Sequence, residues 1–144
     1  MSATQGRNTK RRNGDEISLV VKSGTTIYAG TMVAVLTADG TAVPAGTASS
    51  GNAVGVAEDT VTGDGTLRIT IRRGCFQFAN SASSDLIALK DIGSIAYVAA
   101  DDTVALTDGS ATRVIAGSIS DVDSVGVWVQ IGPGAVGPQG PAGS

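Results

Sequence analysis

From Glu16 onward the apolar residues come in short alternating runs, and glycine-bearing turns such as Asp39-Gly40, Gly63-Asp64-Gly65 and Asp108-Gly109 interrupt them at roughly 8 to 12 residue intervals. Successive side chains of a strand point to opposite faces, so runs of this kind bury one face and stop; the chain is expected to be all-β, a small barrel or compact sandwich. The clearest run is Thr66 to Arg72, in which Leu67, Ile69 and Ile71 are expected to face the core and Arg68, Thr70 and Arg72 the solvent. The other expected strands are Glu16 to Lys22, Thr31 to Leu36, Ala53 to Glu58, Cys75 to Ala79, Ser94 to Ala99, Thr103 to Leu106, Arg113 to Ser118 and Val125 to Ile131. One short helix is expected over Ser84 to Lys90, capped by Ser83 or Ser84 and closed by Gly93.

A weak internal repeat accompanies the turns. GTMVAVLTADGTAV from Gly30 parallels GSIAYVAADDTVAL from Gly93, and AVGVAED ending at Asp59 parallels IAGSISD ending at Asp121. Asp39, Thr41, Gly55 and Asp59 thereby fall on Asp101, Thr103, Gly117 and Asp121. Two copies are too few for a solenoid and fit a pseudo-symmetric barrel, although similar turns can also converge in so simple a sequence.

The last stretch, Val125 to Ser144, changes character midway. Val125, Val127, Val129 and Ile131 share one face of the expected strand and Trp128 lies on the other. Glycine then recurs every third residue, at Gly134, Gly137, Gly140 and Gly143, with Pro138 and Pro141 each following a glycine. This is the collagen pattern, in which only glycine fits the crowded axis of three wound chains; a flexible Gly/Pro tail is the plainer reading. Three chains imply a homotrimer. Trp128 and Ile131, just ahead of the tail, are candidate trimer contacts, with an intrachain core role for Trp128 equally open.

The expected organisation is an arm over residues 1–14, a β-rich body over 15–132 and the Gly-x-y tail over 133–144. A body of this size buries about 70% of its unfolded surface and needs no covalent staples. The net charge of -3 is unevenly spread. Residues 1–22 carry five basic side chains (Arg7, Lys10, Arg11, Arg12 and Lys22) against two acidic ones, whereas the remainder has eleven acidic groups and five basic. Arg7, Lys10, Arg11 and Arg12 thus form a positive arm on an acidic body, suited to reaching an acidic partner, or else a solvated tail.

Catalytic chemistry has little to work with. There is no histidine, which removes the commonest general base and metal ligand, and a single cysteine, Cys75, which permits neither an internal disulfide nor a cysteine-based metal site. Glu58-Asp59, Asp101-Asp102 and Asp121 with Asp123 are too sparse for a calcium loop and are expected to be turn-forming surface acids. With few aromatic residues there is no platform for a sugar, and the arm lacks the stacking groups of a dedicated nucleic-acid binder. No enzyme activity, cofactor, small-molecule substrate or membrane span is expected. The polar N-terminus is unlike a signal peptide, so synthesis in a reducing cytoplasm is expected.

Several stretches together, GTMVAVLTADGTAVPAG, AVGVAED, RGCFQFANS, DIGSIAYVAADDTVALTDGS and AGSISDVDSVGVWVQIG, resemble the small β-rich capsid decoration, or cement, proteins of tailed bacteriophages. The resemblance covers most of the body; the collagen-like tail is not a general feature of that family. It implies a homotrimer on the outer capsid surface of the virion, at threefold or quasi-threefold positions, bridging neighbouring copies of the major capsid protein. The tail suggests an alternative, a trimeric head-fibre or tail-fibre component that attaches to a host surface.

Overall fold

The computed structural model describes residues 2–12 and 14–132. The described chain is all-β, with twelve strands: β1 (Glu16–Val20), β2 (Thr26–Ile27), β3 (Met32–Val35), β4 (Ala42–Pro44), β5 (Gly55–Ala57), β6 (Val61–Thr62), β7 (Arg68–Arg72), β8 (Gly74–Phe78), β9 (Ile95–Ala100), β10 (Thr103–Ala105), β11 (Ile115–Val122) and β12 (Val127–Ile131). They build one five-stranded sheet in the order β1-β7-β5-β3-β4, a second in the order β10-β9-β11-β12-β8, and a two-stranded ladder of β2 and β6.

Reversing the second order gives β8-β12-β11-β9-β10, and the two large sheets then match strand for strand. All their ladders are antiparallel, and the register repeats as well. Met32 pairs with Val56 as Ile95 pairs with Ser118; Val33 pairs with Gly55 as Ala96 pairs with Gly117. Ala34 pairs with Val43 as Tyr97 pairs with Ala105. The weak sequence repeat is therefore a duplicated five-stranded unit. Beyond β1, Val21 bridges to Ala42 at the opposite edge of its sheet; beyond β8, Ala79 bridges to Thr103 in the same way. Each sheet curls until its edges meet at one bridge, and neither closes into a barrel.

Burial follows the expected alternation in the middle of strands. Ile69 and Ile71 on β7 and Val127, Val129 and Ile131 on β12 are buried. A smaller core, with Val21, Ile27, Val33, Ile69 and Ile71, fills the first unit. The larger core fills the second unit with Phe78, Val98, Val104, Ile119, Val127 and Val129, and also takes in Met32, Ala34, Val43 and Val56 from the first.

Two expectations change at strand ends. Leu67 is 49% exposed and Val125 76% exposed, and neither joins its core face. The cause is the same in both units: an aspartate carboxylate claims the backbone just before the strand. Asp64 Oδ1 accepts the N–H groups of Thr66 (2.8 Å) and Leu67 (2.9 Å), and Asp123 Oδ1 those of Val125 (2.8 Å) and Gly126 (3.0 Å). Both segments are held as Asx turns, so the pleat starts only at Arg68 and at Val127.

The helix expected over Ser84 to Lys90 is also replaced. Two 3-10 turns, Ser83–Asp85 and Leu89–Asp91, flank an extended stretch. Between them Ile87 is drawn into the larger core, and the Asn80 side chain pairs with its backbone like a neighbouring strand, donating to the Ile87 carbonyl (2.9 Å) and accepting its N–H (3.0 Å). The first 3-10 turn begins after Ala82, with no side-chain cap from serine.

Candidate functional site

The arm and the end of the body are the two regions that the sequence marks for interaction. Residues 2–12 are exposed throughout, Arg7, Lys10, Arg11 and Arg12 among them, and contribute no strand. The arm is tied down where it meets the body. Arg73 donates its backbone N–H to the Asp15 carbonyl (2.7 Å), and its Nη1 donates to the Gly14 carbonyl (3.4 Å). One residue earlier, Arg72 forms ion pairs with Glu16 and with Glu58. These are solvent-exposed pairs and add little stability individually.

Arg73 also fixes the other end of the body. Gly132, the last described residue, has φ of +103°, and a Cβ built on it would stand 2.5 Å from Arg73 Cβ and 2.8 Å from Cδ. Both the left-handed backbone and the absence of a side chain are needed for Arg73 to lie there. The roots of the N-terminal arm and of the C-terminal tail thus touch the same arginine, at one corner of the molecule. Nothing in the sequence spacing signals this, because the corner is made by three segments far apart in the chain.

Trp128 and Ile131 sit on opposite faces of β12. The Ile131 side chain is 0% exposed and packed in its own chain's core, so it is unavailable to a neighbouring chain, contrary to its proposed role as a trimer contact. Trp128 is half-buried on the outer face, and its indole Nε1 donates to Asp123 Oδ2 (3.1 Å). Gln77, opposite Trp128 in the ladder, donates Nε2 to Asp123 Oδ1 (3.1 Å). One carboxylate therefore organises the β11–β12 turn and orients both outward side chains. The glycines of the Gly-x-y pattern, Gly134, Gly137, Gly140 and Gly143, lie outside the described residues.

Asp39 and Asp85 are also engaged within the chain. Asp39 Oδ1 accepts the Thr41 N–H (3.0 Å) and hydroxyl (2.8 Å). Asp85 pairs with Arg113 (3.1 Å) and takes the Thr107 hydroxyl. Among the described residues no group of three or more Cys, Asp or Glu side chains could hold a metal ion. Cys75 is exposed beside Gln77 on β8's outer face. A cleft of about 350 Å³ lies where the two units meet, lined by Thr47, Ser49, Ser50, Thr112 and Arg113.

Hydrogen bonding gives these carboxylates a common electrostatic signature. The Trp128 indole, then the Val125 and Gly126 N–H groups, hold the Asp123 carboxyl below its usual range. The Thr66 and Leu67 N–H groups do so for Asp64, and Thr41 for Asp39. A carboxyl with a depressed folded-state pKa contributes stability above its unfolded value, 3.8 for aspartate, and loses it as pH falls through the folded value. Thermal melts followed by Trp128 fluorescence are therefore expected to be level above about pH 5 and to fall below about pH 4. Asp123→Asn is expected to remove part of that acid loss; an unchanged pH profile in the variant would show that the turn carboxylate is not coupled to folding.

Comparison with protein-family models, with curated proteins and with solved structures gave no match.

Proposed function

We propose that the protein is a structural virion component, a homotrimer that binds the outer surface of a tailed-phage head and stabilises it by bridging major capsid subunits. The observation that carries this reading is the common root at Arg73. An exposed arm with four cations and a Gly-x-y tail leave one corner of an otherwise acidic body. On a threefold axis, such a corner would bring three tails together and send three arms outward over neighbouring subunits. The motif resemblance across the body supports the same assignment. Of the acidic groups that could have suggested hydrolysis or calcium binding, Asp102, Asp121 and Asp123 hydrogen-bond to residues near them in the chain and Glu58 pairs with Arg72, as expected of a scaffold.

Cations on an exposed arm act mainly on the rate and salt dependence of association, while backbone and apolar contacts hold the bound state. Deleting residues 2–13 is expected to leave a folded trimer that binds heads poorly. Co-sedimentation with heads lacking the protein checks this, and binding unchanged at physiological salt would rule the arm out. The Gly-x-y tail favours one alternative, a head-fibre or tail-fibre component. Counting copies per particle separates the two, since a decoration protein is present in hundreds and a fibre in tens.

A further inference from the structure

The duplicated units leave the same surface in two different states. In the first unit Met32, Ala34, Val43 and Val56 point away from that unit's own core, and all are at most 6% exposed because the second unit covers them. Backbone hydrogen bonds seal the seam: the Met32 N–H reaches the Asp101 carbonyl (2.8 Å) and the Ala53 N–H the Ile115 carbonyl (2.9 Å). By register, the counterparts of Met32, Ala34 and Val56 are Ile95, Tyr97 and Ser118. These are half-buried, as is Ile115, which pairs with Tyr97, and Ile95, Tyr97 and Ile115 belong to neither core. They lie on β9 and β11, inner strands of their sheet, so this is a sheet face rather than an edge.

The covering surface has a counterpart too. Asp101, at the β9–β10 turn, is the acceptor for Met32; its equivalent is Asp39 in the β3–β4 turn, where residues 37–40 are exposed. The counterpart of Val43, Ala105, is fully buried, so the contact recurs in part: the β3–β4 turn is exposed, and the half-buried Ile95, Tyr97 and Ile115 present an apolar face that neither core takes up. We propose that the face around Ile95, Tyr97 and Ile115 seats a second copy of this chain, through its β3–β4 turn, in a head-to-tail contact that repeats between chains the contact between the units. Such a contact joins unlike surfaces and closes into a ring when its rotation permits. The inference rests on the trimer reading above and names the surface that builds it.

Sedimentation at micromolar concentration tests it with Tyr97→Glu, and with Ser118→Lys in case the tyrosine change impairs folding; Ser118 is polar and half-exposed, so a lysine there can reach solvent. Circular dichroism confirms the fold of each variant. The unaltered chain is expected to sediment as three chains and both folded variants as one. An unaltered chain that sediments singly overturns the trimer reading and this contact together. Ser118→Lys that remains three chains overturns the face alone, and if it then fails to bind heads, the face belongs to a capsid protein instead of a second copy.

Discussion

Gly117→Ala is expected to destabilise the fold by roughly 3 kcal/mol, as a methyl group forced against fixed backbone. A Cβ at Gly117 would stand 2.2 Å from the Gln130 carbonyl oxygen and 2.9 Å from Val129 Cγ1. The oxygen belongs to the facing strand β12, whose hydrogen bonds to β8 and β11 prevent it from yielding. Gly55 occupies the same place in the first unit, with Ile71 Cγ2 at 2.6 Å and the Arg72 carbonyl at 2.7 Å, and Gly55→Ala is expected to behave alike. Gly51, with open space around its Cα and an ordinary backbone, is the control: alanine there is expected to be neutral or slightly stabilising. Urea unfolding should show lower midpoints with unchanged slope for Gly55 and Gly117. A Gly117→Ala midpoint equal to that of Gly51→Ala would mean that β11 and β12 are not packed this closely.

Ile131→Ala is expected to cost about 3 kcal/mol, the usual loss when a buried isoleucine is cut back and its cavity only partly collapses. Ile131 is fully buried beside Val127 and Val129, at the end of the strand that pairs with both β8 and β11. The cost arises within one chain, so it should not vary with protein concentration, whereas a residue lost from a contact between chains makes the midpoint concentration-dependent. Melts over a hundredfold range of concentration separate the two. A shift that grows on dilution would return Ile131 to the trimer contact.

Much of the fold could be read from residue order, for a physical reason that also marks where reading stops. Alternation is a local property, so Ile69 with Ile71 and Val127 with Val129 and Ile131 declare their face directly. That same alternation already places Ile131 in the core, against its assignment to a threefold axis. The repeat was legible in Gly55 and Gly117 because close strand approach tolerates nothing larger, and in Asp39 and Asp101 because both are turn residues. Leu67 and Val125 misled because an aspartate three or two residues earlier takes over the local backbone hydrogen bonds, which apolar pattern does not record. Ile87 misled because its hydrogen-bond partner, Asn80, is a side chain acting as a strand. The short strands Thr26–Ile27, Ala42–Pro44 and Val61–Thr62 carry too few residues to show a period. Least legible was the corner at Arg73, since Gly14, Arg73 and Gly132 meet only after both sheets have formed.

The most direct test of the whole account is the mass of the full-length chain in solution. Sedimentation equilibrium at micromolar concentration and physiological salt is predicted to give one species of three chains, each of 14.2 kDa. A single species at the mass of one chain would contradict the threefold assembly, and with it the proposed place of this protein on a capsid.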